Sequence, residues 1–153
     1  MIESQDTKLE VMLAPGTTTL ATNSSNYGYL DTLGWDYATI AYMTNKFATT
    51  SACATTLELT EGTNSTAASA IVAFTGGTSV VADSTGFTIP VYEGTSDGTI
   101  VRFNVNLTKR ERYLRIKVAP GAADTPHVLA TLSRGREAIP GSDDGSVAVD
   151  VTG

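Results

Sequence analysis

Apolar and polar side chains alternate every two residues along this chain, in short runs separated by turn residues. In residues 99–107, Val101, Phe103, Val105 and Leu107 share one face, while Arg102, Asn104 and Asn106 share the other. Residues 112–118 repeat the pattern, with Leu114, Ile116 and Val118 on one side and Tyr113, Arg115 and Lys117 on the other. A period of two lines up one face of an extended strand and cannot line up one face of a helix. The short polar connection at 108–110 predicts an antiparallel hairpin with one wet, basic face.

The same logic places other strands. Residues 36–44 carry Tyr37, Thr39, Ala41 and Met43 on one face and Ala38, Ile40 and Tyr42 on the other; apolar character on both sides predicts a central strand. Strands are also expected at 8–13, 17–21, 56–60, 69–75, 87–91 and 127–133, with a polar loop at 23–28. Pro90 puts the 87–91 strand at an edge or an end. Leu57 and Leu59 should point inward with Glu58 outward. No segment carries a sustained helical stripe, so crossover helices are lacking and antiparallel pairing is expected. About ten short strands predict an all-β, two-sheet antiparallel sandwich, with jelly-roll topology as the specific expectation.

Residues 1–133 read as the sandwich domain, with 1–7 as an N-terminal arm. Residues 134–153 read as an extended C-terminal tail, in which a Pro-Gly-Ser-Asp-Asp-Gly run precedes Val147, Val149 and Val151. A chain of 153 residues can bury a core without staples. With one cysteine it has no intrachain disulfide. The N-terminus is acidic and lacks an apolar run, and no stretch is long and apolar enough to span a membrane. The expectation is therefore cytoplasmic synthesis without membrane association.

The net charge of −6 is unevenly spread. Residues 1–101 hold two basic side chains, Lys8 and Lys46, against ten acidic ones, and residues 102–153 hold eight against six. The overall sign argues against nucleic acid as the main partner. Arg102, Lys109, Arg110, Arg112, Arg115 and Lys117 concentrate six of the ten basic residues in 102–117. Arg102, Arg115 and Lys117 should share the hairpin's outer face. Such a stripe is either a solvated sheet face or a surface that docks on an acidic protein. The candidate partner-binding residues are Arg102, Arg110, Arg112, Arg115 and Lys117, with Val147, Val149 and Val151 as a strand able to join a neighbour's sheet edge.

Residues that carry chemistry are sparse. His127 is the single histidine, too few for a histidine metal site, and it reads as a solvent-facing strand end. Cys53 lies among small residues with no cationic neighbour in sequence and reads as a buried small side chain. Asp143-Asp144-Gly145 lacks the spaced ligands of a calcium loop. Glu58 and Glu61 are expected to be exposed, and Gly76-Gly77 to provide a turn with positive φ. Trp35, with Tyr27, Tyr29 and Tyr37 nearby in sequence, is a core anchor or a sugar-stacking platform. No catalytic residue, metal or cofactor is expected.

Several short motifs are similar to those of small head proteins of tailed bacteriophages. They are Leu30-Asp31-Thr32-Leu33-Gly34-Trp35-Asp36-Tyr37-Ala38-Thr39-Ile40, Leu57-Glu58-Leu59-Thr60-Glu61, Phe74-Thr75-Gly76-Gly77, Arg110-Glu111-Arg112-Tyr113-Leu114-Arg115 and Leu132-Ser133-Arg134. The resemblance spans residues 30–136. It implies a β-sandwich decoration or cement protein that binds the major capsid protein of an assembled shell and reinforces it. It further implies a homo-oligomer, such as a trimer, on the virion surface, and carries no catalytic residues. A carbohydrate-binding or adhesion module, resting on the aromatic cluster, is the alternative.

Overall fold

The computed structural model describes residues 7–14, 19–45, 51–66, 69–77, 86–91, 98–134 and 147–152. Ten strands follow in chain order. They are β1 (Thr7–Leu13), β2 (Asn26–Asp31), β3 (Tyr37–Met43), β4 (Ala54–Gly62), β5 (Ser69–Gly77), β6 (Phe87–Thr88), β7 (Ile100–Asn106), β8 (Tyr113–Pro120), β9 (His127–Ser133) and β10 (Val147–Thr152). Five form one sheet in the order β1-β9-β3-β7-β10, and five form a second in the order β2-β8-β4-β5-β6.

The topology is a jelly roll. The chain pairs as one long antiparallel ribbon, β1 with β9, β2 with β8, β3 with β7 and β4 with β5. Successive rungs fall alternately on the two sheets, and the β3–β9 and β4–β8 ladders close the roll. Among the described residues two pairs run parallel, β7–β10 and β5–β6, each at one edge of its sheet.

The alternation that predicted strands also builds the core. Ala38, Ile40 and Tyr42 from β3, Val101, Phe103 and Val105 from β7, and Val128, Ala130 and Leu132 from β9 face Leu57, Leu59, Phe74, Leu114, Ile116 and Val118 from the other sheet. Phe103 stands edge-on to Phe74 and Phe87, with ring centroids 5.8 and 5.4 Å away, so three rings tie the sheets together. Tyr42 is wholly buried, and its hydroxyl donates to the Cys53 carbonyl at 2.8 Å. Among the described residues every buried polar side-chain atom has a hydrogen-bond partner, which avoids the cost of an unmade bond in the interior.

Several expectations change. The 99–118 segment is not a hairpin. Leu107 keeps its side chain in the core while its N–H donates to the Asp36 carbonyl at 2.8 Å. Asn106 caps a 3-10 turn at Leu107–Lys109, accepting from the Thr108 N–H at 3.0 Å. That turn carries the chain to the opposite sheet, where β8 pairs with β2 and β4 instead of β7. The expected strand at 17–21 reduces, in its described part, to an isolated bridge between Leu20 and Asp124. The expected loop at 23–28 instead enters β2 at Asn26. Gly76 and Gly77 lie within β5 and supply no positive-φ turn. A Cβ at Gly76 would come within 2.7 Å of the Phe87 ring and 2.8 Å of the Leu57 carbonyl oxygen, so the glycine is there for close packing. The C-terminal Val147–Thr152 stretch adds to the edge of its own sheet, with Val147, Val149 and Val151 in register with Ile100, Val101 and Phe103.

Candidate interaction surfaces

The outer face of the β2-β8-β4 sheet and the turn that leads into β8 hold four of the ten basic residues, Arg110, Arg112, Arg115 and Lys117, and each meets a partner on β2 or β4. Arg112 clamps Asp31 with two parallel bonds, Nε to Oδ1 at 2.9 Å and Nη2 to Oδ2 at 2.7 Å. This fork holds the Asp31 carboxyl down at about 2, and the same carboxylate raises the Arg112 guanidinium above its ordinary value. Lys117 Nζ lies 3.5 Å from Glu58 Oε1, and Arg110 lies 3.6 Å from Glu61 Oε1. Arg115 Nε donates to Thr60 Oγ1 at 3.2 Å, and its guanidinium sits 4.8 Å over the Tyr27 ring.

The register explains this neutralisation. Lys117 stands between Tyr27 of β2 and Glu58 of β4, and Arg115 between Tyr29 and Thr60. Alternation gave the face of β8 correctly but not its neighbours, so the acids of β2 and β4 were invisible as partners. Arg102 lies on β7 in the other sheet, opposite Ala41 and Asp150, and cannot share a face with Arg115 and Lys117. The expected single basic stripe is thus divided between two sheets, and its larger part is an internal ladder of ion pairs and ring contacts.

Glu58 and Glu61, expected to be exposed, are half-buried against these cations. Glu61 also accepts from the Glu111 N–H at 3.0 Å. Cys53 is buried, and loss of solvent pushes its thiol up to about 12. His127 begins β9, half-buried and opposite Met43. Among the described residues, no three His, Cys, Asp or Glu side chains lie together in a way that could hold a metal ion. Asp143-Asp144-Gly145 lies outside the described residues. No helix of the described residues is long and apolar enough to cross a membrane.

The aromatic cluster is also divided. Trp35 packs against the core, and the Arg134 guanidinium covers its ring at 4.8 Å while Arg134 Nε donates to the Gly34 carbonyl at 2.8 Å. Gly34 takes φ +82, the left-handed conformation that lets the chain turn into Trp35. Tyr27 and Tyr29 lie on the outer face of one sheet, and Tyr37 is on the other sheet.

The outer face of the β1-β9-β3-β7 sheet is different in kind. Leu9 and Val11 of β1 are 66% and 52% exposed, while Met12 is buried. Register carries Val11 across to Leu129, Ala41 and Arg102, and the next row sets His127 beside Met43 and Ile100. The result is a band of apolar residues in which Leu9 and Val11 are exposed and Leu129, Ala41, Met43 and Ile100 are half-buried, with Arg102 and His127 in the same rows. Sequence reading missed it because a lone strand does not reveal which of its two faces meets the core. An exposed apolar pair continued by half-buried apolar neighbours marks an interaction site more often than scattered apolar residues do.

Comparison of the chain with models of protein families, with curated proteins and with solved structures finds no match.

Proposed function

We propose that this chain is a structural protein of a virus particle, one that docks on the outer surface of an assembled capsid and reinforces it. The observation that carries this reading is the apolar band on the outer face of the β1-β9-β3-β7 sheet, led by the exposed Leu9 and Val11. Water exposure of these side chains is unfavourable by roughly 25 cal/mol per Å² of apolar surface, and a partner that covers them recovers it. The motif resemblance to phage head proteins across residues 30–136 supplies the kind of partner, the major capsid protein of the shell. A jelly roll hosts many functions, so it supports a compact building block without selecting this one.

The neutralised face around Arg112, Arg115 and Lys117 fits the role of a solvent-facing surface, since its charges already have partners within the chain. The carbohydrate-binding alternative gains less support, because its aromatics are split between the two sheets, with Arg134 stacked on Trp35 and Arg115 on one face of Tyr27. The test is binding to shells assembled from the major capsid protein of the same genome. Association with assembled shells and none with unassembled capsid protein is expected. A genome without a capsid gene, or failure to bind shells, would remove the proposal.

A further inference from the structure

Strand β1 ends its sheet, so one side of its backbone faces no other strand among the described residues. Its sequence there is Thr7-Lys8-Leu9-Glu10-Val11. Leu9 and Val11 point to the outer face, while Lys8 and Glu10 take the opposite side and pair with each other. We infer that β1 is the seam of a homodimer, in which two copies pair antiparallel about a two-fold axis at Leu9.

The argument rests on self-complementarity. Centring an antiparallel pair on Leu9 puts Lys8 of each copy opposite Glu10 of the other, giving two ion pairs between chains. Leu9 then meets Leu9, and Thr7 stands opposite Val11. Opposite charges directly across a strand pair are favourable and like charges unfavourable, and a two-fold interface must match itself in this way. A shift of one residue in either direction destroys the match: centring on Lys8 or Glu10 sets like charges face to face.

An inward-pointing lysine on an edge strand ordinarily discourages pairing. Here Glu10, two residues on, turns the same device into a selective one, which repels unrelated strands and accepts this strand. The exposed Leu9 and Val11 are also the reverse of a blunted edge. The seam ends before Met12, whose carbonyl lies close over Gly28 of β2; a Cβ at Gly28 would be 2.5 Å from that oxygen. With the axis perpendicular to the sheet, two five-stranded sheets become one continuous sheet whose apolar bands face the same way. A dimer of this form would present two linked docking patches to a repeating surface. The pairing does not depend on a shell as the partner, and its test is separate from shell binding.

The test is sedimentation equilibrium at concentrations up to about 1 mM, which captures even weak association. The wild-type chain is expected to reach twice its 16.0 kDa mass. Glu10→Lys and Lys8→Glu each set like charges across the seam and are expected to be monomeric. The double swap Lys8→Glu/Glu10→Lys restores the complementarity and should dimerise again. Mixing the two single variants should give a heterodimer, because one supplies two acids and the other two bases. Circular dichroism melts check that each variant folds, and both positions are exposed enough to tolerate the change. A monomeric or trimeric wild type, single variants that keep the wild-type mass, or singles that fail to associate on mixing would each overturn the inference.

Discussion

Truncating Phe103 to alanine is the sharpest probe of how the two sheets are held together. The side chain is fully buried on β7, and its two aromatic contacts, Phe74 and Phe87, both belong to the opposite sheet. Removing the ring leaves a void between the layers, which the closed ladders of β3 and β7 prevent from collapsing. Phe→Ala changes in cores cost about 3–5 kcal/mol, and an edge-to-face pair is worth about 0.5–1.5 kcal/mol beyond its area. Two such pairs put Phe103→Ala at the upper end, about 4–5 kcal/mol. For a domain of this length that lowers Tm by about 8–20 °C. Urea denaturation followed by tryptophan fluorescence, with a thermal melt alongside, measures both. Phe103→Leu, which keeps most of the volume, should lose about 1–2 kcal/mol. Phe87→Ala, on the half-buried edge strand β6, should fall between them. A loss below about 2 kcal/mol for Phe103→Ala at unchanged m-value would refute the three-ring tie.

Other consequences follow from the titrating groups. Because burial raises the Cys53 thiol from 9.0 to about 12, the native protein should resist thiol-specific labelling at pH 8 and take up one equivalent only on unfolding. Its contribution to stability is complete below pH 9 and should be lost as the pH climbs toward 12, which alkaline melts of wild type and Cys53→Ala can compare. Asp31 has the opposite sign: its carboxyl falls from 3.8 to about 2 in the fold. The stability gap between wild type and Asp31→Asn should therefore be constant above about pH 4 and close as the pH falls toward 2, followed by acid denaturation.

How far the sequence reveals this molecule depends on what alternation encodes. It shows which side chains of a strand share a face, so the strands β3, β7, β8 and β9 were legible, with the inward residues of β7 and β8 given by their polar opposite faces; for β3 and β9 the inward face was not. It does not show which strand lies beside which. The short 107–109 turn resembled a hairpin link because its polar residues do, yet the buried Leu107 and the Asn106 cap send it across the sandwich. The β2 strand was obscured by Asn26 and Gly28, residues disfavoured in strands. Gly28 is needed because the Met12 backbone lies directly against it. The basic residues were visible, but their acidic partners on β2 and β4 emerge only from the register. The apolar band of Val11, Leu129, Ala41 and Met43 is built from three strands and has no signature in any one of them.

The proposed docking of the β1-β9-β3-β7 outer face on a capsid shell is tested by co-sedimentation with assembled shells. Wild type should bind to saturation. Val11→Asp should weaken binding at least tenfold, equivalent to about 1.4 kcal/mol. Arg115→Glu with Lys117→Glu, on the opposite face, should leave shell affinity essentially unchanged. Binding that survives Val11→Asp but is lost on reversing Arg115 and Lys117 would contradict the assignment of the docking face.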